Sequence, residues 1–299
     1  MKKIPVLDSI RYAYAFTFGH LGTIIGLIWV PMVILAVAGY FIMSYYYNSV
    51  PAAVSAGDAI AAARSGMLLI GWSLASLLLS AVMYVAVTRQ ALGLREGPAV
   101  VHFALGLPEL RVFSTVLGIF ALALLFLMVD VGLISGAAAL TAKVPAANAA
   151  VGLFALAALF AIVYALIRLS FLAIPATVAE GKVGLGRAWE LSRGNFWRIV
   201  AIGLAALGPI MLIALAAEVA ILGPEFFLHN TAMPTNDTAQ QMHDMAEQMR
   251  TASDHLPVLY GLSFLMAPFF VGLGLAPAAF AYRALTRGET GNSVFRGAG

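Results

Sequence analysis

Six long apolar runs constrain this chain more than any other feature. They cover residues 21–43, 67–92, 112–140, 149–174, 199–222 and 258–285. About twenty apolar residues at a rise of roughly 1.5 Å each cross the hydrocarbon of a bilayer, and every run reaches that length. Only 10% of the 299 residues are charged and 62% are hydrophobic. A soluble core of this size has nowhere to put so much apolar surface. Lipid is the expected solvent, and a backbone crossing lipid must satisfy its own hydrogen bonds. The expected fold is therefore all-α, an integral membrane bundle of six helices forming a single transmembrane domain over 1–299. A signal peptide ending at Ala36-Val-Ala38 is the competing reading of the first run, but the run is too long and continues past that site. The chain has no cysteine, which excludes disulfides, thiolate nucleophiles and Cys-ligated metals.

Between the runs, basic residues divide unequally. One side carries Lys2, Lys3, Arg11, Arg89, Arg95, Arg111, Arg168, Lys182, Arg187, Arg193, Arg198, Arg283, Arg287 and Arg296; the other carries only Arg64, Lys143 and Arg250. By the positive-inside rule both termini are expected in the cytoplasm. Tyr45-Tyr46-Tyr47 suits the far interface. Pro31 is expected to kink the first span, and Pro175 to stop the fourth. Ahead of the first span, Ile4, Leu7, Ile10 and Tyr14 recur at helical spacing, which reads as a short helix lying in the interface.

The clearest polar interruption is Arg187-Ala-Trp-Glu-Leu-Ser-Arg-Gly-Asn-Phe-Trp-Arg198. Trp189, Phe196 and Trp197 suit the headgroup level. Arg187, Arg193 and Arg198 suit lipid phosphates, at roughly 1 kcal/mol each near an anionic surface. Gly194-Asn195 reads as a left-handed helix stop. A docking surface for a partner is the other reading of the same residues. Related patterns occur upstream: Ala13 to His20 aligns with Ala188 to Asn195, and Phe103 to Glu109 aligns less well. Tyr14, Phe103 and Trp189 then stand 89 and 86 residues apart. The spacing predicts three repeated helical hairpins, each preceded by an amphipathic helix on the cytoplasmic side.

Tyr164, Arg168, the run Pro175-Ala-Thr-Val-Ala-Glu180 and the stretch 188–198 together resemble a loose group of bacterial multi-pass inner-membrane proteins. The group includes the membrane domain associated with glycerophosphoryl diester phosphodiesterases and the YciC-type proteins. The likeness is sharp over about 35 residues. It implies a six-helix protein of the bacterial inner membrane. The acidic and histidine metal site of the phosphodiesterase catalytic domain has no counterpart, so diesterase activity is not implied.

Asp130, Glu218 and Arg168 are charges within or at the ends of spans, where a charge is the default functional flag. Asp130 follows Arg111 by roughly 28 Å of helix and Glu218 follows Arg198 by roughly 30 Å, which puts both near the outer interface. Arg168 is expected near the inner mouth. Gly132, Gly136, Gly272 and Gly274 are expected to permit close helix packing. The outer loop 223–257 holds a helix expected from Asn236-Asp237 to about Ser253, with Met242, Met245 and Met249 on one face. With Met233, His229, His243 and His255 these residues would suit copper. The plainer reading is a Met-bearing stripe on the outer surface or against a partner. No metal, cofactor or catalytic residue is assigned, and no phosphate-binding or nucleophile motif occurs. The basic face follows from topology, so nucleic acid is not expected as a partner. These features favour a non-enzymatic accessory or scaffold protein that binds membrane lipids, a partner membrane protein, or both. A carrier for a small solute or lipid is the alternative.

Overall fold

The computed structural model describes residues 2–95, 103–141, 145–229 and 238–287. Among them there is no strand. The chain forms α1 (Val6–Gly19), α2 (Leu21–Ser55), α3 (Ala59–Leu92), α4 (Leu107–Thr141), α5 (Pro145–Glu180), α6 (Leu185–Leu191), α7 (Phe196–Leu222), α8 (Pro224–His229) and α9 (Thr238–Thr286). Six of these, α2, α3, α4, α5, α7 and α9, are long and apolar enough to cross a membrane. They pair as three hairpins, α2–α3, α4–α5 and α7–α9. Short helices precede the first and third hairpins. Residues 103–106 before α4 are not helical.

Several helices run past their expected ends. α2 continues through Tyr45–Tyr47 and Pro51 to Ser55, and the turn into α3 is only 56–58. Asp58 closes that turn: its Oδ1 accepts from the Ile60 and Ala61 amides at 3.1 and 2.9 Å. Pro175 does not stop α5, which ends five residues later at Glu180, followed by Gly181 in the left-handed region (φ 64°). The outer helix does not end near Ser253. It joins the sixth span in one 49-residue helix that holds Pro257, Pro268 and Pro277. A proline removes one ladder bond, and membrane helices tolerate this where neighbours or waters re-satisfy the carbonyl. The Asn236-Asp237 cap, Lys143 and Arg296 lie outside the described residues, as do the side chains of His229, Met233, Met242 and His243. His255 Nδ1 lies 2.8 Å from the Thr251 carbonyl on its own helix.

The α1 helix packs lengthwise on α7 and α9 rather than lying free in the interface. Ser9, Ala13, Phe16 and Thr17 are buried, whereas Leu7 is 70% exposed. Small residues at i, i+4 and i+8 let backbones approach, and surrounding lipid removes the reason to bury Leu7. Thr17 meets α9 at Gly272, where a Cβ would stand 2.7 Å from Thr17 Oγ1. Tyr12 stacks on Phe280 at 5.1 Å, and the Tyr14 hydroxyl donates to the Ala205 carbonyl at 2.8 Å. Gly132 and Gly136, by contrast, mark no close approach, since a Cβ on either meets nothing within 4 Å.

One large core joins Ile4, Phe16, Ile24–Met32, Met83–Leu92, Leu172–Ala176, Ala188, Ile199–Ile202 and Val271–Leu285. It lies where α1, α6 and the 2–5 segment meet the adjoining ends of α3, α5, α7 and α9.

Candidate functional site: the α5–α6–α7 junction

After Gly181 the chain folds back on α5. The Gly184 amide donates to Thr177 Oγ1 at 3.0 Å, and Gly184 sits so close to α5 that a Cβ there would be 2.7 Å from the Thr177 nitrogen. Thr177 also meets Thr115 of α4 at 3.0 Å, so one threonine ties three elements together. α6 then runs back along α5 with Ala188 buried against it and brings its last turn to Arg168.

Arg168 is 6% exposed. Its guanidinium donates to the Trp189 carbonyl at 3.0 Å, to Ser192 Oγ at 3.3 Å and to the Tyr164 hydroxyl at 3.4 Å. It lies 4.0 Å from the centre of the Trp189 ring and 5.4 Å from that of Tyr164. The carbonyl it holds belongs to the last turn of α6, where the helix dipole favours a cation. Planar stacking on indole is a guanidinium property that an ammonium does not share. None of these contacts is a carboxylate.

The 192–195 turn carries Gly194 at φ 73°, the left-handed stop expected from the sequence. Asn195 is 1% exposed and reads the N-terminal segment as a strand would. Its Oδ1 accepts from the Ile4 amide at 3.0 Å, and its Nδ2 donates to the Lys2 carbonyl at 3.2 Å. Arg198 donates to the Ile4 carbonyl at 2.7 Å. Lys2 in turn reaches the Leu285 and Arg287 carbonyls at the end of α9. Phe196 is buried, 4.5 Å from the Tyr164 ring.

The junction residues therefore separate into two groups. Asn195, Phe196 and Arg198 bind the chain to itself, and Asn195 and Phe196 present no surface to lipid or partner. Arg187 pairs with Glu180 at 3.1 Å and Glu190 at 3.5 Å. Glu180 also takes Lys182 at 3.2 Å and the Tyr282 hydroxyl at 3.1 Å. Trp189, Arg193 and Trp197 face outward, with Trp197 71% exposed. On α1, burial pushes the Tyr12 phenol above its usual range, and Arg283 above its ring opposes this.

The intramembrane acids are not part of this site. Asp130 is buried in α4 with eleven residues of the helix beyond it, so it is not a helix-end group. Its Oδ1 has no hydrogen-bond partner among the described residues. Glu218 is half-buried, one turn before α7 ends. Sequence reasoning missed the Thr115–Thr177 pair, the hub at Glu180 and the hold of Asn195 on the N-terminal segment. Only the hub had a signal, the charge cluster Glu180, Lys182, Arg187 and Glu190.

No protein-family model matches the chain, and no curated protein and no solved structure does.

Proposed function

We propose that this chain is a non-enzymatic accessory protein of the bacterial inner membrane, with both termini in the cytoplasm. In this reading it rests its α5–α7 junction among lipid headgroups and packs its α4–α5 hairpin on the spans of a partner membrane protein. The observation that carries the partner is the surface of that hairpin. Between residues 120 and 137 of α4, Asp130 is the one buried residue. Phe120, Met128, Leu153, Phe154 and Phe160 are all more than half exposed. Such a two-helix arm is left open to lipid or to the spans of another protein. Outward Trp189, Arg193 and Trp197 supply the aromatic and cationic chemistry of the interface. The likeness of the 164–198 run to multi-pass inner-membrane proteins of bacteria supports the location, and the fourteen-to-three division of basic residues supports the orientation.

The test is purification of the tagged chain from its own membranes in mild detergent, with co-purifying chains counted. One membrane protein in fixed stoichiometry is expected, and it should be lost when Phe120, Met128, Phe154 and Phe160 become alanine. A lone chain would remove the partner reading. It would favour the alternative, a carrier for a small solute or lipid, for which Pro209, Pro268 and Pro277 inside spans speak. Flux in liposomes would then decide.

A further inference from the structure

Four spans enclose a space that no hydrogen-bond network explains. Its volume is about 490 Å³, and its walls come from α3, α5, α7 and α9. Among the described residues, Tyr84 and Ser170 are the only polar side chains on it; the rest are residues such as Ile167, Phe171, Leu207 and Phe270. Two wall positions are glycines. A Cβ on Gly203 or on Gly274 would meet nothing within 4 Å, so the space exists because side chains are missing there. Ser170 is exposed and marks the opening.

We infer that this space is a binding site for one acyl chain of an anionic membrane phospholipid. Its size and chemistry exclude the other occupants. An apolar cavity of roughly 150 Å³ stays dry and takes benzene, so one about three times larger suits an unbranched hydrocarbon of some eighteen carbons better than water. A helix is about 10–12 Å across with its side chains and does not enter. A polar solute would lose its hydration for two hydroxyls. The charges beside the walls choose the headgroup. In the sequence, Arg193 and Arg198 precede the wall position Ile199 by six residues and by one, and neither 164–179 nor 191–217 contains an aspartate or glutamate. Arg168 is buried and spends its donors on Ser192, Tyr164 and the Trp189 carbonyl, so exposed Arg193 and partly exposed Arg198 are the cations open to a ligand. A phosphate is the complementary group. This site is separate from the partner surface proposed above and does not depend on it.

The experiment uses the whole chain in nanodiscs of phosphatidylethanolamine and phosphatidylglycerol, doped with phosphatidylglycerol carrying a photoreactive diazirine in its tail. Crosslinks are mapped by mass spectrometry. Crosslinks at residues 167–174, 199–207 and 270–278 are expected to saturate as the probe fraction rises and to be competed by unlabelled phosphatidylglycerol. Crosslinks on the open face at 153–160 are expected to rise linearly, as for bulk lipid. The double variant Gly203→Leu/Gly274→Leu should lose the saturable crosslinks at least tenfold and keep the linear ones. The milder Gly203→Ala/Gly274→Ala pair should show a partial loss, and it serves if the larger one does not fold. Cavity crosslinks that rise linearly, or that survive filling, overturn the site. Equal labelling by a phosphatidylcholine probe or a free fatty-acid probe overturns the anionic phospholipid as its occupant.

Discussion

The end of the molecule around Arg168 and Asn195 and the far part of the α4–α5 hairpin are built from similarly apolar helices, yet one is packed and the other is open. In the packed end the residues in contact include Ser9, Thr17, Thr88, Thr115, Thr177, Ser192, Asn195 and Arg168, all buried. In the open arm the exposed residues are leucines, phenylalanines, valines and methionines. A soluble protein places these classes the other way round. Lipid solvates a leucine as well as another leucine does, so hydrophobicity drives no association here. Small side chains that admit close backbones, Thr17 and Thr88 among them with their hydroxyls unpaired among the described residues, and polar groups held by partners, such as Asn195 and Arg168, decide what is buried. The comparison predicts that equal substitutions will have unequal effects at the two ends.

Glycine-to-alanine changes give the widest contrast. Gly184→Ala puts a Cβ 2.7 Å from a backbone nitrogen and 2.8 Å from Ala176 Cβ, and neither atom is the far end of a flexible side chain. A loss of about 3 kcal/mol or more is expected, the range of overpacked core sites. Gly132→Ala and Gly136→Ala meet nothing within 4 Å. They are expected to be neutral or to stabilise by up to about 1 kcal/mol through backbone entropy. Thermal unfolding in detergent checks all three. Equal losses at both ends would break the comparison.

Arg168→Met comes next. It removes three hydrogen bonds and two ring contacts while keeping the apolar stem. A loss of about 2–3 kcal/mol is expected from these contacts together, although the Trp189 carbonyl keeps the Ser192 hydroxyl as a donor at 3.1 Å. Arg168→Lys should recover little, since a single ammonium reproduces neither the fork nor the stacking. Trp189 supplies a fluorescence signal that should redshift in both variants. Asn195→Ala should cost about 1–2 kcal/mol for its two backbone contacts and release residues 2–5, read as faster amide exchange at Ile4. Unchanged exchange there would show that Arg198 and Lys2 hold the segment without Asn195.

The same physics explains what was legible beforehand. The six spans are apolar runs, and their centres are visible without a structure. Their edges are not, because Tyr45–Tyr47, Pro51, Pro175 and Pro257 punctuate soluble helices but sit inside these. The importance of the 187–198 stretch was legible from its tryptophans and arginines. Its inward half was not, because Asn195 meets its partners 191 and 193 residues away, which no local pattern records. The packing of α1 on α7 and α9 was not legible either, because the small residues that make it, Ser9, Ala13 and Thr17, carry no apolar periodicity.

Asp130 tests the comparison from the open arm and should give the smallest effect. It is 6% exposed, yet its Oδ1 has no hydrogen-bond partner among the described residues. A carboxyl contributes to packing in a membrane only when its oxygens are satisfied, and leaving one unmade costs free energy. Asp130→Leu keeps much of the volume and removes the unsatisfied oxygen. If the arm has no polar organisation of its own, this variant should unfold within about 0.5 kcal/mol of the wild type, or up to about 1 kcal/mol above it. Asp130→Asn should lie between the two. A clear loss of stability in Asp130→Leu would show that the carboxyl is held after all. The arm would then share the polar logic of the Arg168 end, and the contrast between the two regions would narrow to one of exposure alone.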